Sequence, residues 1–340
     1  MALIAPPTAK ITPSYTEPGL LLTLMQPSGV MSLFSTSALL PRLKEGDLYV
    51  YAKVLDVRTQ AAVSQSSSND LPSADLQPRL IGTPTYNFMT KADYNHHDIN
   101  ASSNWDIPLS EAYRLALRQG IFQSIRLAAL YGVTPSSGEG LINTSGATTA
   151  SLTTDSFNNS TLSTWDAGQL SQFFMTLIAN LLTRTNQFGA PQRIVMLMPQ
   201  RDMALLQMVQ IVQLTSYQRI GAGSETSLGV VQDISKRAGV DVEFHVDDTL
   251  IGKGSGGTDA IIIAIPEVKK QPVPGLDINP FQTLEPGLNA VTAIYTDKAA
   301  PTEITSPLPQ GAIDVLMEQR TTSGIAWRGE AVTILSAQFS

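Results

Sequence analysis

Two β-patterned runs flank a stretch that has no means of burying itself, and this arrangement constrains the fold more than any other feature of the chain. Residues 47–57 (DLYVYAKVLDV) alternate and are rich in Val and Tyr, which predicts a strand. Residues 79–90 (RLIGTPTYNFMT) predict a second strand, with Gly82 and Pro84 marking a bend or an edge position. Between them, 58–77 carries the Ser/Asn/Asp/Pro cluster QSSSNDLPSAD. Together they predict a long hairpin with a tip of about 20 residues, and loops of that length in compact domains are usually functional. Exposed strand edges need cover. The tip residues Gln60, Ser66, Asn69, Asp70 and Asp75 are therefore expected to contact another subunit and not their own core.

Composition points the same way. Only 15% of the 340 residues are charged, against roughly 25% in ordinary domains. Ser, Thr, Asn and Gln fill the polar positions instead. Stripping water from charges is costly, so interface centres are depleted in them. A low-charge surface suits a chain that buries much of itself against neighbours. An apolar fraction of 43% is ample for a packed core. The absence of cysteine excludes a disulfide scaffold, zinc–thiolate and iron–sulfur sites, and a cysteine nucleophile. The net charge of −7 argues against a dedicated nucleic-acid binder. The longest apolar runs, such as 194–198 and 261–265, are strand-sized, and MALIAPPTAK lacks a basic n-region, so neither a membrane span nor a signal peptide is expected.

Six prolines between Pro6 and Pro41 bar a long helix from residues 1–45, which read as an extended arm whose apolar patches, Leu20–Met25 and Met31–Phe34, lie along another surface. Residues 93–107 read as irregular. A helix is expected over 110–131, with Ser110 as N-cap and Gly132 as stop. Leu115, Phe122 and Ala129 define its inward stripe, and Arg114, Arg118 and Arg126 lie off it on a solvated face, free to pair with acidic residues of neighbours. A second helix follows a capping box at Ser163–Asp166, with Leu170, Phe173, Phe174, Leu177, Ile178 and Leu181 at buried helical spacing. From Arg193 the pattern alternates: a strand at Ile194–Met198, helices at 202–214 and 224–238, and strands at 240–246 and 259–265. This is a compact α/β region. Further strands are expected at 289–296, 315–325 and 331–335.

No catalytic, cofactor or metal site emerges. Gly252–Gly257 matches G-x-G-x-x-G, but a strand follows it where a phosphate-binding loop needs a helix, so it reads as a turn between strands. His96, His97 and Asp98 lack a third ligand, and His245, the remaining histidine, sits on a strand. No G-x-S-x-G elbow occurs. Asp247 and Asp248, with Asp241 and Glu243 just before them, read as a solvated strand end. Met196, Met198, Met203 and Met208 read as core.

An arm, a long hairpin, a long helix and an α/β domain, in that order, resemble the major capsid proteins of tailed phages with the Hong Kong 97-type fold. The segment Gly140-Leu141-Ile142-Asn143 resembles the G-L-L-N stretch that many of these proteins carry after their spine helix. RIVMLMPQRDMALL (193–206) resembles their strand that ends in Pro and runs into a helix, and GLDINPFQTLEPGLNAVTAIYTD (275–297) resembles the C-terminal third of one group of them. The resemblance implies an α+β chain: an N-terminal arm at 1–45, an extended β-hairpin loop at 46–98, a peripheral domain at 99–164 and 276–328 with its spine helix at 110–131, and an axial α/β domain at 165–275 and 329–340. No highly charged helical scaffolding segment precedes the arm, and no Lys/Asn pair stands out for a covalent cross-link.

The function so implied is structural. Copies would assemble in the host cytoplasm, as hexamers and pentamers, into the icosahedral virion shell around double-stranded DNA, without sequence-specific binding. A portal protein and a separate scaffolding or decoration protein are the implied partners, with no membrane and no cofactor. With 29 acidic residues against 22 basic ones, the inner surface is expected to be near-neutral or acidic. Two other readings stay open at this point: an encapsulin-like bacterial nanocompartment, and a cytoplasmic α/β enzyme or binding protein carrying an inserted hairpin.

Overall fold

The computed structural model of the chain describes residues 28–35, 42–55, 78–103, 108–185, 192–208, 210–211, 225–269 and 290–340. Its elements run β1 (Tyr49–Leu55), β2 (Pro78–Asn95), α1 (His96–Ser103), α2 (Leu109–Tyr131), β3 (Thr148–Ser151), α3 (Ala167–Arg184), β4 (Gln192–Met198) and α4 (Gln200–Met208). Then come β5 (Gln210–Ile211), β6 (Glu225–Thr226), α5 (Ser227–Arg237), β7 (Val240–Val246), β8 (Asp259–Ala264), β9 (Glu267–Lys269) and β10 (Ala290–Thr292). The chain closes with β11 (Ile294–Tyr295), β12 (Thr302–Pro307), β13 (Ala312–Thr322), β14 (Ile325–Ala326) and β15 (Val332–Ala337).

The part expected to be axial is built on a five-stranded mixed sheet of order β3-β15-β8-β4-β7. Strand β8, DAIIIA, is buried along its whole length, as a central strand covered on both faces must be. It runs antiparallel to both β4 and β15, while β4 is parallel to β7. Helix α3 lays Leu170, Phe174, Ile178 and Leu181 into this core, at the spacing the sequence predicts. Burying a side chain of that size contributes about 1.5–3 kcal/mol. The cap differs from the expectation by three residues. Asp166, not Ser163, is the N-cap, and its carboxylate accepts the Gln169 amide at 3.0 Å. Met196 and Met198 are core, but Met208 ends α4 with its side chain 77% exposed.

The peripheral part is a four-stranded antiparallel sheet of order β1-β2-β13-β12, with α2 packed on it. Strand β2 is longer than the sequence suggests, because Thr85–Asn95 finds a partner in β13 far along the chain. Residues 96–103 are helical, not irregular: the Asn95 side chain accepts the Asp98 amide at 2.9 Å and Asp98 returns the bond to the Asn95 amide at 3.0 Å, a reciprocal cap. The short strands β3 and β12 give no strand pattern in the sequence because both are polar; β3 takes its order from the distant β15, and β12 from the neighbouring β13. The pairing of β3 with β15 crosses the boundary expected at 164/165. Strands β13 and β14 replace the single run expected at 315–325, with Gly324 in the break.

The described piece of the arm, 28–35, does not lie on a foreign surface. Val30, Leu33 and Phe34 are buried in the chain's own main core, and Met31 touches both cores.

Candidate assembly surfaces

Three features of the peripheral part leave apolar or charged side chains on its surface. The first is the hairpin. Strand β1 pairs with β2 from Tyr49↔Pro84 to Leu55↔Pro78, whereas β2 pairs with β13 only from Thr85 onward. Residues 78–84 and β1 therefore form a two-stranded ribbon that runs past its sheet. Period-2 alternation puts Tyr49, Tyr51 and Leu80 on one face of it. The two tyrosine rings stack at 6.1 Å, and Tyr51 and Leu80 are 64% and 65% exposed. The ribbon's root is tied down: the Thr85 amide donates to the Leu48 carbonyl at 3.0 Å, and Arg320 Nη1 to the Asp47 carbonyl at 2.9 Å. The tip residues Gln60, Ser66, Asn69, Asp70 and Asp75 lie outside the described residues.

The second feature is the spine helix α2, which is turned relative to the expectation. Its inward residues Leu117, Ile121 and Ile125, each one turn from the next, pack on Tyr94, Val315 and Met317, and Ala128 is buried in the turn that follows. Of the expected stripe only Ala129 is buried, while Leu115 and Phe122 are both 39% exposed. The two stripes differ because successive residues stand about 100° apart around a helix, so Phe122 faces well away from Ile121. No side chain caps the helix start, which falls at Leu109 after Pro108, so Ser110 is inside the first turn. Gly120 sits where the helix crosses β2, and a Cβ there would lie 3.4 Å from the Thr90 methyl.

The three arginines have three different environments. Arg114 is bound within its own chain, to Glu111 at 3.0 Å and Glu303 at 2.9 Å, and the Glu303 hydrogen bond raises its pKa. Arg126 is not on a solvated face at all. It is buried, with Nε 3.0 Å from Asp247 Oδ2, an ion pair by distance and not an aligned hydrogen bond. Arg118 is exposed and lines a hollow of about 190 Å³ with Phe122, Ile121, Met31, Lys298 and Met317. This hollow, between α2 and the last strands of the sheet, is the third feature.

The buried Arg126 makes sense of Asp247, which the sequence offers as a solvated strand end. Asp247 also accepts the Ser28 hydroxyl and, at 3.0 Å, the Thr249 amide. Nearby, Gly29 N donates to the Val246 carbonyl at 3.0 Å and Tyr131 Oη to the Thr249 carbonyl at 2.6 Å. Burial raises the Tyr131 pKa. Arm, spine helix and axial sheet are thus joined at one point. A second joint explains the Gly140-Leu141-Ile142-Asn143 stretch. Gly140, at φ +86°, donates to the Gly324 carbonyl at 2.7 Å, Leu141 is buried, and Asn143 Nδ2 caps the Tyr131 carbonyl at 2.8 Å. Buried Glu139 accepts from Tyr86 Oη, the Thr134 amide and Ser323 Oγ at 2.8, 3.1 and 3.0 Å, linking the joint to β2.

The catalytic candidates stay dispersed. Gly252–Gly257 is a turn between β7 and β8. Glu243 is held by Arg193 through bonds of 2.8 and 2.7 Å, with His245 3.4 Å away. His96 and His97 are exposed on α1. Among the described residues no three His, Cys, Asp or Glu side chains converge as metal ligands, and no helix is long and apolar enough to cross a membrane.

A hairpin that outruns its sheet, a long helix lying across it and a mixed axial sheet define a shell-forming protein of the Hong Kong 97-type capsid fold. The chain belongs to the major capsid protein family, whose model matches residues 59–275. Its fold is similar to the capsid of Myoviridae phage XM1, at 13% identity and a TM-score of 0.60, over 94% of this chain and 100% of that one. A structure of Microbacterium phage Oxtober96 aligns at 8% identity and a TM-score of 0.59, over 96% of each chain. One of Mycobacterium phage Ogopogo aligns at 14% identity and a TM-score of 0.55, over 96% of this chain and 97% of that one. A sequence comparison with curated proteins finds no match. The protein is a structural component of a phage capsid, and its partners in the shell are copies of itself.

Proposed function

We propose that this chain, as hexamers and pentamers, closes into the icosahedral shell that encloses the double-stranded DNA genome of a tailed phage. It does so without catalysing a reaction. Assembly takes place in the host cytoplasm around a portal protein, with a separate scaffolding or decoration protein. The observation that carries this reading is the ribbon of β1 and residues 78–84. It leaves its own sheet with Tyr49, Tyr51 and Leu80 exposed on one face, and apolar surface of that kind is a mark of contact with another molecule. The division of labour follows: arm 1–45, extended loop 46–98, peripheral domain around α2 and β13, axial domain around the five-stranded sheet. Strand β3 goes with the axial sheet to which it is bonded.

Deleting residues 62–74 tests the role of the hairpin tip. Folded subunits that fail to close shells are expected, and normal shells would overturn the proposal. The enclosed DNA is held by closure of the wall and not by tight binding. Titrating unassembled subunits with duplex DNA at about 0.15 M salt, where the Debye length is about 8 Å, is expected to give no micromolar affinity. DNA of genome length in purified shells separates a phage capsid from a nanocompartment.

A further inference from the structure

The end of the five-stranded sheet where β4 leads into α4 holds a carboxyl group that neither core packing nor the assembly surfaces use. Asp202, in the first turn of α4, is fully buried, and neither of its oxygens receives a hydrogen bond from the protein. Leaving such a group ionised and unpaired is costly. Its surroundings make that worse. Asp259, at the start of β8, is also buried, and Asp248 follows β7. Arg201, the cation beside it in the chain, is already committed: Nε and Nη2 grip the Asp259 carboxylate at 2.8 and 2.7 Å, and the guanidinium lies 4.8 Å over the Phe339 ring. Asp247, next in the chain to Asp248, is turned to Arg126.

A buried carboxyl whose oxygens receive no hydrogen bond becomes a donor when it carries a proton, and Asp259, bound by the neighbouring Arg201, is an acceptor. Burial, reinforced by the charge of Asp259, pushes the Asp202 pKa up to about 7. No metal explains the cluster, since no three ligating side chains converge among the described residues. The same carboxylates tie two loops together. The Gly252 amide donates to Asp259 Oδ1 at 2.9 Å, and the Gln200 amide to Asp248 Oδ1 at 2.8 Å. They therefore join the start of α4 to the glycine-rich turn 252–257.

We propose that Asp202 and Asp259 form a proton-dependent latch, closed when Asp202 is protonated and donates to Asp259, and loosened when both are ionised. The latch sets the rigidity of the start of α4 and of the glycine-rich turn. The sign follows from linkage. A carboxyl that binds its proton more tightly in the closed state than in the open state makes closure weaker as pH rises between the two pKa values. Below that window the latch is fully closed, and above it the loosening is complete.

Hydrogen exchange of the full-length protein from pH 5 to 8.5, corrected for intrinsic rates, tests this. The opening constant of amides in 200–206 and 252–258 is expected to rise about tenfold per pH unit and level off near pH 7. D202N, which keeps a donor and loses the charge, is expected to show a flat profile at the low-pH level. The infrared band of a protonated carboxylic acid in the unmodified protein is expected to fade across the same window, and this readout does not depend on the variant folding. A flat wild-type exchange profile, a D202N profile that copies the wild-type rise, or no protonated-acid band at pH 5.5 would overturn the latch.

Discussion

Arg126 of the spine helix and Asp247 at the end of β7 lie 3.0 Å apart with both side chains out of solvent. They stand 121 positions apart in the chain, one in the peripheral part and one in the axial part. Ser28 of the arm completes the contact. This desolvated charge pair, together with the Tyr131 hydroxyl on the Thr249 carbonyl and the packing of Ala129, Leu130 and Leu141 in the main core, ties the two parts together.

Breaking such a pair leaves an unpartnered buried charge and costs about 3–5 kcal/mol, whereas replacing both partners by apolar residues is often close to neutral. R126A and D247A are each expected to lower the denaturation midpoint of the subunit strongly. The double variant R126M/D247L is expected to recover much of the loss. Chemical denaturation of all three checks this, and additive losses in the double variant would mean the two residues act independently.

The orientation of the spine helix makes a paired prediction. I121A removes a buried side chain and is expected to cost about 2–5 kcal/mol. F122A, at a site 39% exposed, is expected to cost under about 1 kcal/mol. Phe122 lines the hollow beside Arg118, so its loss is expected to appear in assembly yield and not in subunit stability. The reverse ranking in urea denaturation would mean that Phe122 and not Ile121 faces the sheet.

Gly140 combines a φ of +86° with backbone only 2.3 Å from where a Cβ would stand. G140A is therefore expected to destabilise by more than about 1 kcal/mol, measured by thermal unfolding. A neutral result would show that the joint of Gly132, Gly140 and Gly324 relaxes.

The ribbon predicts a separation of folding from assembly. Y51S with L80S changes two exposed side chains on one face and is expected to leave the subunit's circular dichroism and melting unchanged while closed shells disappear from a sucrose gradient. Unaltered shells would show that this face meets nothing.

Acid acts through Glu243. The hydrogen bonds from Arg193 hold its carboxyl below the usual carboxylate range. Its contribution to stability is present at neutral pH and is lost as pH falls through the native pKa. E243Q is expected to flatten that part of the stability profile below about pH 4.5.

Much of this architecture was legible because it is written in local pattern. Ile194–Met198 reads as a buried strand, the α3 stripe as a buried face, and the runs around 58–77 as a hairpin. Elements with little local pattern, or ordered by distant partners, were not. Strands β3 and β12 are short and polar, and β2 extends to Asn95 only because β13 lies beside it. The direction in which α2 faces is not legible because apolar residues lie on more than one side of it: Leu115 and Phe122 make one stripe, and Leu117, Ile121 and Ile125 another. Arg126 gives no sign of burial in the sequence, since its partner is Asp247, and Asp202 gives none because its burial comes from the packing of α4 on the sheet. The stretch Gly140–Asn143 was visible as a likeness, and its reason, a cap and a tight joint, needed coordinates.

Electron microscopy of particles purified after expression of the full chain tests the shell-forming role most directly. Closed icosahedral shells of megadalton mass are expected, with hexamers and pentamers resolved in their walls. A small monodisperse oligomer, with no such capsomers and no shells, would contradict it.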